Sequence, residues 1–125
     1  MTYRIASSIP VLRMSDEAAS RRFYVDLLGF DVQWEHRFSE TSPLYMQIRL
    51  GNAVIHLNGH EDASAVPAVI RIPIDGIEAF CDVLRSRHDR PDEIVIADPR
   101  GKGIGTDLNL VDPDGNLIVF SREGG

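Results

Sequence analysis

One cysteine, Cys81, stands in 125 residues, so no disulfide can form within the chain. That excludes a small fold stapled for an oxidising compartment. Long apolar runs are missing as well. None approaches the roughly 20 residues that a membrane-spanning helix needs, and no membrane partner is expected. The N-terminus, Met1-Thr2-Tyr3-Arg4, lacks a basic segment followed by an apolar one, and no signal peptide is expected there. Positive charge is scarce: 13 Lys and Arg stand against 19 Asp and Glu, for a net charge of −6. General nucleic-acid binding needs a basic surface and is excluded as an expectation. Together these absences point to a cytoplasmic protein.

What is present is an ordinary globular composition, 43% hydrophobic and 26% charged, sufficient for one core in one domain over residues 1–125. The chain is written twice. A strand-like run, Ile5 to Leu12, leads through Ser15-Asp16-Glu17 into a helical stretch ending at Leu28-Gly29-Phe30. A second run, Val69 to Ile74, leads through Asp75-Gly76 into a helical stretch ending near Leu84. Each half continues with β-like segments and closes on a related hairpin, Leu50-Gly51-Asn52-Ala53 in one and Asp114-Gly115-Asn116-Leu117 in the other. The first module covers about residues 1–60 and the second about 66–125, with a polar linker, Asn58 to Pro67, between them.

Local patterns place the residues. Pro10 interrupts the first strand-like run, since proline donates nothing to a ladder. Ser15 or Asp16 caps the first helix, whose apolar face is Ala19, Phe23, Leu27 and Leu28, and Gly29 suits the position after its end. From Phe30 to Phe38 the sequence alternates, so Phe30, Val32, Trp34, His36 and Phe38 share one face and Asp31, Gln33, Glu35 and Arg37 the other. Tyr45 to Leu50 and Ala53 to Leu57 form a hairpin. The second helix presents Ile77, Phe80, Cys81 and Leu84. A short strand at Ile94-Val95-Ile96-Ala97 and a glycine-rich loop at Asp98 to Gly105, placed over a cavity mouth, precede a strand in which Asp107 and Asn109 share one side. Asp112-Pro113-Asp114-Gly115-Asn116 is a strong turn, and Leu117 to Ser121 is the last strand.

Few residues in this pattern carry ligand chemistry. Trp34 offers a flat ring for stacking or for a cation, and His36 a hydrogen bond beside it. Tyr45 with Gln47, His56 with Asn58, and Asp107 with Asn109 are polar pairs sharing a face by alternation. Each has a plain alternative: a packed aromatic, a structural histidine, an exposed outer sheet face. Arg71 is either a cavity cation or an exposed alternation position. Cys81 reads as a small core residue. Gly101 to Gly105 lacks the Gly-Lys-Ser/Thr ending of a phosphate-binding loop, and no Ser/His/Asp set stands at interpretable spacing.

The opening Ile9-Pro10-Val11-Leu12-Arg13-Met14-Ser15-Asp16, the segment Phe23-Tyr24-Val25-Asp26-Leu27-Leu28-Gly29-Phe30 and the closing Leu110-Val111-Asp112-Pro113-Asp114-Gly115-Asn116 resemble the vicinal oxygen chelate superfamily, over nearly the whole chain. That superfamily includes glyoxalase I, extradiol dioxygenases, and fosfomycin- and bleomycin-resistance proteins. The resemblance implies an α+β fold of two tandem βαβββ modules, each with a four-stranded mixed sheet, forming an incomplete barrel around a cavity, and a homodimer with sites at or near its interface. Metal-dependent members hold a cation with His and Glu on the first and last strands of the modules. Here the corresponding positions fall near Ile9 and at Val119, and Ala68 to Ile72 contains no His or Glu. His56 is the one remaining candidate near a ligand position, with a register uncertain by one residue. No metal and no cofactor are therefore expected.

These departures favour the bleomycin-resistance type: a small-molecule binding protein without metal chemistry, with Trp34, His36, Tyr45, Gln47, His56, Asn58, Asp107 and Asn109 as ligand-binding residues. A cationic, glycopeptide-like ligand suits the acidic balance. The alternative is a metal-dependent lyase, isomerase or dioxygenase with a non-standard ligand set. A third is a degenerate member kept as a regulatory or assembly partner.

Overall fold

A computed structural model describes residues 2–60, 66–87 and 107–123. Each module builds one sheet. In the first, β1 (Val11–Arg13), β2 (Asp31–His36), β3 (Tyr45–Leu50) and β4 (Ala53–Asn58) stand in the order β1-β4-β3-β2. β1 runs parallel to β4, and the other pairs are antiparallel. In the second, β5 (Val69–Ile74), β6 (Leu108–Val111) and β7 (Leu117–Arg122) stand in the order β5-β7-β6, with β5 parallel to β7. The described strands repeat one plan and close no barrel. The predicted strand Ile94–Ala97 and the glycine-rich loop to Gly105 lie outside the described residues.

Among the described residues, two helices cover the sheets. α1 (Glu17–Arg21) starts under the Asp16 carboxylate, which accepts the Ala19 N–H at 3.0 Å. It continues as a wider π-helical turn over Arg22–Leu27. Gly29, at φ +90°, ends it in a conformation that favours glycine. α2 (Ile77–Arg87) buries Ile77, Cys81 and Leu84, as its spacing predicts. One apolar cluster joins Leu12, Met46, Ile48, Ile55 and Leu57 of the first sheet to Leu108, Leu110, Ile118 and Phe120 of the second, with both helices between. The opposite faces of both sheets therefore point away from the shared core.

A polar latch ties the modules together. The buried Asp112 carboxylate accepts the Tyr24 hydroxyl at 2.6 Å, the Asn116 side chain at 2.9 Å, and the Asp114 and Asn116 backbone N–H groups. Asp114 reaches back to accept the Ser15 N–H, and the Asn116 side-chain oxygen accepts the Ala68 N–H. A turn in the second module thus holds the helix and the strand exit of the first.

Three local expectations are corrected. The first strand is not Ile5 to Leu12 but Val11–Arg13 alone. Pro10 has no N–H to continue the ladder, although its carbonyl still accepts the His56 N–H at 3.0 Å; Tyr3 and Ile5 ahead of it are exposed. The most buried stripe of the first helix is Ser20, Tyr24 and Leu28, while Ala19, Phe23 and Leu27 are only half-buried. The π-helical turn and the Tyr24–Asp112 bond set that stripe. Finally, β2 does not keep one alternation. Val32 pairs with Ile48, but Trp34 pairs with Gln47, so Gln33 is an extra residue in a β-bulge. Phe30 and Val32 face the core, whereas Trp34 and His36 turn to the open face.

Candidate functional site

The open face of the first sheet is built in rows. Val11, His56, Gln47 and Trp34 lie side by side across β1, β4, β3 and β2. The next row is Arg13, Asn58, Tyr45 and His36. This pairing settles the register of His56: Ile55 enters the core at 1% exposure, and His56 points to the open face.

Aromatic rings fill this face. Trp34 stacks on Tyr45, with centroids 6.0 Å apart and planes 10° from parallel. His56 meets both rings edge-on at 5.2 Å. His36 meets Phe38 at 4.7 Å, and Phe38 meets His60 at 5.8 Å. Trp34, His36, Phe38, Tyr45, Asn58 and His60 line a groove of about 520 Å³. Trp34 keeps 42% of its surface exposed and Phe38 77%, so a ligand would find bare ring faces.

Beneath the rings runs a chain of hydrogen bonds. Tyr45 Oη lies 2.7 Å from His56 Nδ1, and His56 Nε2 lies 2.8 Å from Gln47 Oε1. Gln47 Nε2 donates to Gln33 Oε1 at 2.6 Å. Asn58 accepts the His60 N–H at 3.0 Å. At the strand's outer side, Glu17 accepts from Arg37, which holds its carboxyl below the usual carboxylate range, with Arg21 adding to the effect against partial burial. Arg21 also pairs with Glu35.

Six of the eight predicted residues thus come together: Trp34, His36, Tyr45, Gln47, His56 and Asn58. Asp107 and Asn109 lie on the open face of the second sheet, separated from the others by the shared core. There Asp107 pairs with the exposed Arg71 at 3.0 Å, and Asn109 shares a row with Val119 and Arg71. Val119 occupies in the second sheet a row like that of His56 in the first, each flanked by its parallel and antiparallel partners. Gln33 was missed by sequence reasoning, because alternation puts it on the wrong face and nothing in the pattern marks the bulge. Phe38 and His60 belong to the groove too, and the run of aromatics from Trp34 to Phe38 was the signal for the first of them.

A larger groove, of about 850 Å³, lies between the β3–β4 turn, β5 and α2. Leu50, Ile55, Ile70, Ile72, Ile74 and Phe80 dominate its lining. The donors for a family-type metal centre do not fit. Ile9 and Val119, the positions to which the resemblance assigns ligands, carry no donor group, and among the described residues no three His, Cys, Asp or Glu gather around a point.

The fold matches known proteins. The bleomycin resistance determinant encoded on the transposon Tn5 is 22% identical, with 95% of this chain and 99% of that one covered at a TM-score of 0.66. The bleomycin-binding protein from Streptomyces verticillus, solved with copper(II)-bleomycin, is 21% identical, with 97% and 98% covered at 0.61. An antibiotic binding protein from Streptomyces sp. CB03234 is 21% identical, with 95% and 98% covered at 0.67. These identities establish a shared fold. No curated protein matches by sequence. The family described as "Glyoxalase superfamily protein" matches residues 3–124, nearly the full length. With its paired βαβ-type modules and that match, the chain belongs to the glyoxalase superfamily.

Proposed function

We propose that this protein binds and sequesters a small molecule on the aromatic face of its first sheet, without metal chemistry and without catalysis. The observation that carries this reading is the Trp34–Tyr45 stack beside His56: bare ring surface with a few placed polar groups, which is what small-ligand sites are made of. The antibiotic- and bleomycin-binding proteins of the same fold support it. A flat, cationic, glycopeptide-like ligand suits both the rings and the net charge of −6.

The protein acts as a cytoplasmic homodimer in this reading. Each chain exposes apolar side chains that a second copy would cover, Tyr3 and Ile5 ahead of β1 and Val69 and Val111 on the second sheet. A partner's second sheet, with Asp107 and Asn109, would then complete the groove that the first sheet opens. Metal-dependent lyase, isomerase or dioxygenase chemistry finds no donor set among the described residues.

Trp34 is the single tryptophan of the chain and sits in the site, so its emission reports binding directly. Titration with metal-free bleomycin is expected to change that emission saturably. Trp34→Ala and His56→Ala, followed by calorimetry, are expected to weaken binding about tenfold or more while the chain stays folded, in line with the loss of a stacking ring or a placed polar group. Equal affinity in both variants would remove this face from consideration. One tightly held divalent ion per chain after dialysis, with a lower Tm in chelator, would instead revive the metal-dependent alternative.

A further inference from the structure

The hydrogen-bond chain under the rings has a direction. Gln47 Oε1 can only accept, so the His56 Nε2 at 2.8 Å carries a hydrogen and donates it. In a neutral imidazole that leaves Nδ1 as a lone pair. The Tyr45 hydroxyl, 2.7 Å away, must then donate to it. Its one hydrogen is spent inward, and towards the groove it lines Tyr45 offers only lone pairs. Protonation of His56 reverses this. Nδ1 becomes a donor, Tyr45 accepts, and its hydrogen is released towards the groove. The ring need not move, because Gln47 accepts from Nε2 in both states and is itself fixed by donating to Gln33.

We propose that Tyr45 determines the hydrogen-bond polarity of the ligand and that His56 sets it. With His56 neutral, the groove selects flat ligands that donate an N–H next to Trp34. With His56 protonated, it selects acceptors and disfavours cations. This rests on the binding-site reading above and names the ligand class for it. The ionisable groups that share the open face with His56 are Arg13 on β1, His36 and Asp31 on β2, Tyr45 and Arg49 on β3, and His60 just after β4. Arg13 lies 3.8 Å from Asp114, and Arg49 donates to the Gly51 carbonyl. His36 and His60 are the other histidines there, and neither makes a bond of the chain, so each separates from His56 by mutation.

Two measurements test the proposal. In ¹⁵N-histidine NMR, the neutral His56 ring is expected in the Nε2–H form, its signals assigned through H56Q or through its contact with Trp34. Indole and 1-indanone are neutral bicyclic probes of similar size, one an N–H donor and one a carbonyl acceptor. Followed by the Trp34 indole N–H signal, indole is expected to bind about threefold to tenfold tighter than 1-indanone at pH 8, the worth of one hydrogen bond. As the same NMR signals show His56 taking up a proton on acidification, that preference is expected to invert. It should vanish in Y45F, and its dependence on pH should persist in H36Q and in H60Q whatever their absolute affinities. An Nδ1–H tautomer, or a preference that ignores pH in the native chain, overturns the proposal and leaves the binding site standing. If neither probe shifts Trp34 at any pH, the binding-site reading falls as well.

Discussion

Tyr24 is fully buried, and its hydroxyl donates to a carboxylate in the same interior. Burial first, and then the Asp112 charge, push its pKa well above the ordinary value of 10.0. The sign of the consequence is fixed by linkage. A raised folded pKa means the stabilisation is complete below the unfolded value and is lost as pH rises beyond it. Above about pH 10 the unfolded chain loses a proton that the folded chain keeps. Each further pH unit then costs on the order of 1.4 kcal/mol. Urea unfolding from pH 9 to 11.5 should show that slope, and Tyr24→Phe should lack it. At pH 8 the same variant should lose about 1–3 kcal/mol, because Asp112 remains buried with one donor fewer. An unchanged alkaline slope in Tyr24→Phe would assign it to another group.

At the scale of the strand, the site depends on one extra residue. If β2 paired regularly beyond Val32, Gln33 would oppose Gln47 and Trp34 would face Met46 on the core side. The bulge places both Gln33 and Trp34 opposite Gln47 and delivers the indole to Tyr45. Deleting Gln33 should therefore keep Trp34 on the open face, since Trp34 would follow Val32 directly into the pairing. The deletion variant is expected to fold, to retain the Trp34–Tyr45 contact by NMR, and to lose about 1 kcal/mol with the Gln47–Gln33 bond. A Trp34 buried in the core of that variant would contradict the register argument. This element also marks where the sequence stops being legible. Strands β3, β4 and β5 and the buried face of α2 follow from periodicity, because apolar spacing and core facing are the same fact. A bulge is a backbone event. Phe30, Val32, Trp34, His36 and Phe38 alternate without a break, so no pattern of side chains records where the backbone slips. Tyr45 with Gln47, and His56 with Asn58, were readable as pairs sharing a face, but the side that His56 takes and the bonds that join it to Tyr45 and Gln47 depend on the register of three strands at once.

At the scale of the molecule, the question is whether two repeated modules behave as two units or one. Each sheet has its own open face, but neither has its own core: a single cluster takes apolar side chains from both. The Asp112 carboxylate accepts four hydrogen bonds: three hold its own turn, and the fourth, from the Tyr24 hydroxyl, crosses to the first module. Buried donors around a missing carboxylate would each go unpaired, so Asp112→Ala should cost about 3 kcal/mol or more. The chain carries its own reporters for the two halves. Trp34 stands on β2 of the first module, and Cys81, buried, stands on α2 of the second. Trp34 emission and Cys81 thiol reactivity should change at one urea concentration in the native protein, as two-state unfolding requires. In Asp112→Ala both midpoints should fall together, because the shared cluster still couples the modules after the latch is cut. If Cys81 became reactive while Trp34 kept its native emission, the second module would be opening alone, and the shared core would not be what joins the repeats.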